Sequence, residues 1–408
     1  MPEPTDPRSP QPNRRRLLVF IGLMVLVGLN LRPALSSLAP VLTRIQQDTG
    51  LSPLSIGALT TLPVLCLGLF APMAPWLAKR LGAERALAAG LALLAGGLAL
   101  RGVPLVAALF IGTLMVGAAI GVAGTLLPAL VKRELPAGAD LMTGVYTMAL
   151  CLGGALGAGL SVPLADQLGG WHLGLASWST LAALALVAWL ALAPRRHEAA
   201  LPSRAGSMRS VLGQPLAWQV MLFMGLQSSL AYIVFGWLPT LLMERGYGEG
   251  EAGWMMAASV MVQLPAALGA PWLARMGSDQ RPALLIVLAM IATGFWLLLI
   301  GPTPLRWLGI VFLGLGQGGG FSLALTLIVL RSGNSRLAGK LSGLVQGGGY
   351  TLAAMGPLGV GVMLQLDLGL ATITAVLLAI CASAATFALF AGRNRRLEID
   401  TTGLLVTR

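Results

Sequence analysis

The chain is a succession of long apolar runs separated by short polar segments. The runs lack the two-residue alternation of a membrane β-barrel, and a helix needs about 20 residues to cross a bilayer core about 30 Å thick. The pattern therefore predicts twelve membrane-spanning helices, over 17–43, 53–78, 82–101, 103–131, 138–168, 172–193, 215–243, 250–275, 281–301, 304–331, 336–366 and 368–391.

The composition supports a membrane protein. Hydrophobic residues make up 56% of the 408 residues and charged residues 10%, whereas soluble domains carry about 25% charged residues. This balance excludes an ordinary soluble enzyme, a disordered protein and a small disulfide-stapled domain. The fold class we predict is an all-α integral membrane protein of the cell inner membrane, with the lipid bilayer as its surroundings.

The basic residues predict the orientation of the helices. Of the 27 Lys and Arg residues, 22 lie in segments that are cytoplasmic if the N-terminus is inside, and 4 lie in the outer segments. Cytoplasmic loops of membrane proteins are enriched in this way, so both termini are predicted to be cytoplasmic. Because the net charge of +12 is spread over loops and forms no basic stripe, we expect no binding of nucleic acid.

The polar segments divide the chain into five parts. The run that follows Arg14, Arg15 and Arg16 is too long for a signal peptide, so we interpret it as a retained first helix. The predicted parts are a disordered cytoplasmic tail (1–16), an N-terminal six-helix bundle (17–193), a cytoplasmic linker (194–214), a C-terminal six-helix bundle (215–391) and a cytoplasmic tail (392–408).

The two predicted bundles share local sequence. The pentapeptide APWLA at 74–78 recurs at 270–274, in each case at the end of the second helix of its bundle. Arg133 and Arg331 occupy equivalent positions, and so do the pairs at 143–144 and 342–343. Parallel six-helix repeats are an architecture of secondary transporters.

Six plus six helices, with a basic loop after helices two and eight, resemble the major facilitator superfamily. In the loop motif of that family, Arg80 and Gly82 match, whereas Pro75 replaces a glycine and Lys79 replaces an aspartate. The resemblance implies a gating role for residues of this loop and of its repeat, namely Lys79, Arg80, Gly82, Arg275 and Gly277.

Further motifs resemble the cyanate-permease and 2-nitroimidazole-transporter family. They are GLNLRP at 28–33, LTTLPV at 59–64, GWLP at 236–239, and GKL at 339–341 followed by QG at 346–347. This resemblance covers nearly the whole chain. It implies transport of a small anion or a compact polar heterocycle.

Arg32 is the most informative polar residue. It lies 15 residues into the first run, about 22 Å along a helix that rises about 1.5 Å per residue. A cation there costs about 2.5 kcal/mol or more, so it indicates function. None of the 15 acidic residues lies in the middle of a run, so the missing negative charge can be the substrate, because a guanidinium suits flat oxyanions.

Two structural roles for Arg32 stay open at this level. The side chain can bond backbone carbonyls freed by Pro33 and Pro40, or it can reach an outer acid such as Asp166 or Glu244.

Other polar residues at similar depth are also predicted to bind substrate, although each can equally bond a neighbouring helix. Together with Arg32 they form the predicted substrate site: Asn30, Ser36, Thr60, Tyr146, Gln227, Tyr232, Gln263, Gln317 and Gln346.

Several kinds of chemistry are not expected. Cys66, Cys151 and Cys381 are far apart in sequence, and the 2 His residues fall in different loops, so we expect no metal site and no disulfide framework. The glycine-rich segments lack the Lys-Ser/Thr of a phosphate-binding loop. We expect no cofactor, no catalytic residues and no enzyme activity.

We therefore predict a secondary active or facilitative transporter that moves its substrate by alternating access, as a monomer, with the substrate bound centrally near Arg32. The alternative is a proton-coupled multidrug exporter of the same fold, although such proteins usually carry an embedded acidic residue. Uniport, anion exchange and co-transport with a proton carried by the substrate all agree with the sequence.

Overall fold

The computed structural model of the protein describes residues 14–134, 139–193, 208–275, 277, 279–332, 335–399 and 405–407. It is built almost entirely from helices. They are α1 (Arg14–Leu31), α2 (Pro33–Ser36), α3 (Leu42–Thr49), α4 (Pro53–Phe70), α5 (Met73–Leu81), α6 (Ala83–Leu100), α7 (Val106–Glu134), α8 (Ala139–Leu168), α9 (Trp171–Leu192), α10 (Met208–Leu212), α11 (Pro215–Glu244), α12 (Glu249–Arg275), α13 (Arg281–Leu299), α14 (Arg306–Leu330), α15 (Ser335–Ala353), α16 (Met355–Gln365) and α17 (Leu370–Ala391).

The helices follow the predicted apolar runs. Within the described residues, 11 helical segments are long and apolar enough to cross a membrane, judged by length and composition. The other predicted span, 336–366, corresponds to the pair α15 and α16, whose first helix carries Arg336, Lys340 and Gln346 among its residues. The count of twelve spans stays a prediction.

The first predicted span is not one continuous helix. Regular helix ends at Leu31, resumes for one turn at Pro33, and gives way to a 3₁₀ turn over Ala39–Val41 before α3 begins. Proline lacks the backbone N–H that a helix needs and clashes with the preceding turn, so Pro33 and Pro40 contribute to both breaks. Arg32 lies at the first of them.

Two more predicted helices are divided. The run 53–78 is α4 followed by α5, with Pro72 as the N-cap of α5. The run 336–366 is interrupted at Ala354, where Pro357 supplies no N–H for the carbonyl of Ala353. Each of these two predicted spans therefore consists of two helices.

We call α1–α9 the N-terminal half and α10–α17 the C-terminal half. They pack through α8 against α12 and through α4 against α15 and α16. Glycines allow the helix backbones to approach closely: a Cβ at Gly57 would lie only 3.0 Å from the Cα of Gly361. Small residues at helix crossings are the usual means of close packing in membranes.

The halves share a buried core at one end of the molecule, the end that carries Arg44 and is predicted to face outward. Leu38, Leu42 and Ile45 of the N-terminal half belong to the same buried cluster as much of the C-terminal half. Most of the remaining buried core of the N-terminal half is a separate cluster, which includes Met24, Leu87 and Trp189. The halves are thus packed together at the predicted outer end.

The predicted C-terminal tail contains a small antiparallel sheet of β1 (Leu397–Ile399) and β2 (Leu405–Thr407), which the sequence pattern did not predict. It is attached to the helices where the Leu397 N–H donates to the carbonyl of Arg331 at 2.9 Å. The predicted disordered segment 1–16 and linker 194–214 lie largely outside the described residues, although α10 is helical within the linker.

Candidate substrate site between the two halves

Arg32 stands at the break in the first span. It is the N-cap residue of α2, and its carbonyl accepts the N–H groups of Leu35 and Ser36, each at 3.0 Å. The carbonyl of Arg32 is therefore satisfied by backbone hydrogen bonds from the next turn of helix. This leaves the half-buried side chain of Arg32 as the polar feature of the break.

The guanidinium of Arg32 reaches the opposite half. Its Cζ lies 5.0 Å from the ring centroid of Phe235 on α11, within the range of a cation–π interaction worth about 0.5–2 kcal/mol. On its own half, the stem of Arg32 packs beside Gly154 of α8, where a Cβ would lie 3.4 Å from the Cβ of Arg32. Arg32 thus lies at the interface between the halves.

No carboxylate pairs with Arg32 in the part of the chain that the structure describes. The ion pairs in this part of the chain include those of Arg44, Arg281 and Arg306. The guanidinium of Arg32 also donates no hydrogen bond to a described group. Asp166, one of the acids named above as a possible partner, is bonded to Arg44 instead. Neither structural role considered for Arg32 is therefore seen.

Two tyrosines of the C-terminal half lie near this guanidinium. The rings of Tyr232 on α11 and Tyr350 on α15 meet edge to face, with centroids 6.1 Å apart and an angle of 75° between the planes. Both lie within electrostatic range of Arg32, and Tyr350 also of Tyr146 on α8. The structure thus brings together a cation, aromatic rings and phenolic hydroxyls from both halves.

A narrow cavity adjoins the cluster. The space open to the centres of water molecules is about 10 Å³, which is room for about one water molecule. The lining residues come from both halves and include Thr60, Tyr232, Phe235, Gly236 and Arg101.

Three predicted site residues of the N-terminal half donate hydrogen bonds from their side chains to backbone carbonyls. The amide of Asn30 donates to a carbonyl one turn back, at 2.7 Å. The hydroxyl of Ser36 donates to the carbonyl of Gly154 at 2.7 Å and so ties α2 to α8. Thr60 donates to a carbonyl of its own helix at 3.0 Å, yet its side chain lines the cavity.

The predicted glutamines lie in the C-terminal half. Gln227 donates to the carbonyl of Gln317 at 3.5 Å, and Gln317 donates to a carbonyl of α11 at 3.2 Å. Gln346 donates to a serine one turn back, at 2.6 Å. The buried Nε2 of Gln263 and Oε1 of Gln317 have no partner among the described residues. None of these four glutamines lines the cavity beside Arg32.

The predicted gating residues lie at the opposite end from Arg44. Lys79 and Arg80 are exposed, and the guanidinium of Arg80 lies 4.3 Å from the ring of Trp76 on the same helix. Gly82 joins α5 to α6 with φ at +85°, a conformation that favours glycine. Gly277 is exposed, and Arg275 ends α12, although its side chain lies outside the described part.

Sequence reasoning missed the burial of Arg101, which it counted in an outer loop. The side chain is 0% exposed. Its Nε donates to Thr113 Oγ1 at 3.1 Å and its Nη1 donates to the carbonyl of Ala34 at 2.8 Å. A signal was present, because Arg101 directly follows an apolar helix and is flanked by apolar and small residues. Arg32 is therefore not the one deep arginine that the sequence predicted.

A second missed feature closes the predicted outer end. Arg44 donates from Nε to both carboxylate oxygens of Glu249 at 2.9 Å, and from Nη2 to Oε2 at 2.6 Å. Its Nη1 donates to Asp166 at 2.6 Å. Glu249 begins α12 in the C-terminal half and Asp166 belongs to α8 in the N-terminal half, so Arg44 links the two halves directly.

The chain is similar in sequence to known membrane proteins. The family model described as Major Facilitator Superfamily matches residues 18–357. The chain belongs to the major facilitator superfamily. The family resemblance derived from the sequence motifs is thereby confirmed, and the protein is a multi-pass membrane transporter, not an enzyme.

Three relatives are similar over most of their length. The chain is 38% identical to an uncharacterized transporter, YycB, of Bacillus subtilis, over 86% of this chain and 88% of the relative. It is 35% identical to the 2-nitroimidazole transporter of Escherichia coli, over 84% and 87%. It is 32% identical to the cyanate transport protein CynX of the same organism, over 84% and 88%.

Solved structures share the fold at low sequence identity. A bacterial homologue of the human lysosomal transporter Spinster, in an inward-facing conformation, aligns with a TM-score of 0.73 at 16% identity, over 94% of this chain and 98% of that chain. The predicted all-α transporter fold is therefore confirmed.

Proposed function

We propose that this transporter moves a small anion or a compact polar heterocycle, which binds between the halves beside Arg32. The observation that carries the proposal is the guanidinium of Arg32, which lies against Phe235 of the opposite half and has no carboxylate partner in the described chain. A deep cation without a protein counter-charge is costly. An anionic substrate would supply that charge.

The chemistry around Arg32 fits a flat or linear substrate. A guanidinium offers donors in one plane, which match the acceptors of planar anions. The ring of Phe235 and the edge-to-face tyrosines offer flat apolar surfaces for a heterocycle. Cyanate and 2-nitroimidazole, which relatives of this chain are named for transporting, both combine such acceptors with a small π system.

Alternating access would follow from a rearrangement of the halves. In the structure they share a core at the predicted outer end, and Arg44 joins them there. Release of this end and closure of the other would expose the Arg32 site to the opposite side, as in other repeat-built transporters.

The test is uptake of labelled cyanate and labelled 2-nitroimidazole into proteoliposomes. We expect the wild-type protein to transport at least one of them. Arg32→Ala should lower the rate by at least about tenfold, which corresponds to about 1.4 kcal/mol. Arg32→Lys should recover part of it, because charge is kept and the planar fork is lost.

The matched control is Arg85→Ala, which removes an exposed arginine in the first turn of α6. It should transport like the wild type. Full activity of Arg32→Ala would refute the proposed role of Arg32. Failure of the wild type to move either compound, combined with proton-driven efflux of a cationic dye, would instead favour the multidrug exporter.

A further inference from the structure

Arg101 is a buried arginine between predicted spans. It follows α6, and its side chain is 0% exposed. Part of its bonding is structural. Regular helix in the first span stops at Ser36, which leaves the carbonyl of Ala34 available, and Nη1 of Arg101 donates to that carbonyl at 2.8 Å. Nε donates to Thr113 on α7 at 3.1 Å.

This structural role leaves one nitrogen unused. The buried Nη2 of Arg101 has no hydrogen-bond partner among the described residues. A guanidinium nitrogen carries donors only, so it needs an acceptor, and a buried donor without one costs free energy. No ion pair involving Arg101 occurs in the described chain, so its charge is also uncompensated there.

A cavity adjoins Arg101. Arg101 lines the narrow cavity together with Thr60 and Gly236. The same cavity is lined by Phe235, and the guanidinium of Arg32 lies over the ring of Phe235. Arg101 and Phe235 therefore line one cavity between the halves, and Arg32, which also has no carboxylate partner in the described chain, lies against Phe235.

We propose that Arg101 is a second anion-binding residue, which contacts the transported anion in a subsite that this cavity forms when the halves rearrange. The inference rests on the proposed function and extends it. The ligand class is a compact anion, planar or linear, whose oxygen or nitrogen acceptor replaces the missing partner of Nη2. The cavity has room for about one water molecule as it stands, so it must widen for the anion to enter.

The experiment measures binding of labelled cyanate and labelled 2-nitroimidazole to purified full-length protein in detergent, by scintillation proximity. Arg101→Lys keeps a positive charge but cannot reproduce the fork. We expect it to weaken binding of the preferred ligand by at least about tenfold, since bonds from a guanidinium to an anion are strong.

The matched control is Arg245→Lys. Arg245 also donates to backbone carbonyls, those of Leu297 and Leu298, at 3.0 and 2.6 Å, but it does not line the cavity. It should lower thermal stability, as Arg101→Lys does, and leave the dissociation constant within about twofold, because the lost bonds are remote from the ligand. A loss of affinity beyond the control separates binding by Arg101 from its structural role.

A second variant leaves Arg101 untouched. A Cβ at Gly236 would lie 3.1 Å from the Cβ of Thr60, so Gly236→Ala narrows the cavity. It should weaken binding of 2-nitroimidazole more than that of cyanate, because the heterocycle is larger. This measurement decides the question if Arg101→Lys does not fold.

The two proposals fail in different ways. If the wild-type protein binds neither compound, the proposed function falls and this inference falls with it. If the wild type binds, Arg32→Ala does not, and both Arg101→Lys and Gly236→Ala bind with unchanged affinity, only the role of Arg101 is overturned.

Discussion

The link between Arg44 and Glu249 is expected to hold the predicted outer end closed. The pair is bidentate, and its side chains are 30% and 23% exposed. Asp166, the other partner of Arg44, is 58% exposed. Because Glu249 belongs to the C-terminal half and Asp166 to the N-terminal half, only the first bond must break when the halves separate at this end.

The effect of Glu249→Gln can be estimated from this geometry. Exposed ion pairs contribute about 0.2–1 kcal/mol, and hydrogen bonds to charged groups that are shielded from water about 1.5–3 kcal/mol. For a pair that is about one quarter exposed, an intermediate loss of about 1–2 kcal/mol is expected, which shifts the ratio of open to closed molecules by about 5- to 30-fold.

The assay is a distance measurement across the predicted outer end. Spin labels are placed at Gln47 and Leu366, two exposed residues in opposite halves, in a chain whose three buried cysteines are replaced. Pulsed electron paramagnetic resonance then gives the distance distribution. In Glu249→Gln, the ratio of molecules at the longer distance to molecules at the shorter distance should rise by about 5- to 30-fold.

Asp166→Asn is the matched control, because it removes a bond within one half. It should change the distribution by no more than about twofold, as expected for an exposed pair. Equal shifts in the two variants would refute the assignment of the lock to Glu249. An unchanged distribution in Glu249→Gln would show that apolar packing alone closes this end.

Two further predictions concern the site and its packing. Phe235→Ala should weaken substrate binding about fivefold, because it removes a cation–π contact of about 1 kcal/mol with Arg32. Phe235→Tyr keeps the ring and should bind like the wild type, and equilibrium binding measures the dissociation constants of both variants. Gly153→Ala should lower the melting temperature by several degrees, since a Cβ there would overlap the Leu29 carbonyl oxygen and overpacking costs about 1–3 kcal/mol. Gly124→Ala is its control, because a Cβ at Gly124 meets nothing within 4 Å.

The helices could be predicted from the sequence, whereas their interruptions could not. Apolar length is a local property, so each predicted run contains helix in the described chain. Proline alone does not decide where a helix breaks: Pro63 and Pro239 lie inside continuous helices, but Pro33 and Pro40 accompany breaks. The difference depends on which neighbours satisfy the freed carbonyls, and that is tertiary information.

The candidate site was predicted in the same partial way. Arg32 was found because a charge inside an apolar run is locally conspicuous. Its contact with Phe235 joins residues 203 positions apart in the chain. Local sequence spacing cannot predict a contact between residues so far apart. Arg101 was counted among the basic residues of the outer segments because it ends the predicted run 82–101, and only the packed structure shows that its side chain bonds the carbonyl of Ala34.

The distribution of charge bears on which substrates the protein can accept. Arg44 at the predicted outer end has two carboxylate partners. Arg32 and Arg101 have none in the described chain, where the acidic residues lie at helix ends, in connecting segments and in β1. Charges interact strongly where the dielectric is low, so a cation bound beside Arg32 would be repelled with no acid to offset the repulsion. An anion would relieve the same charge, and we therefore expect anions to compete for the site and cationic dyes to be excluded from it.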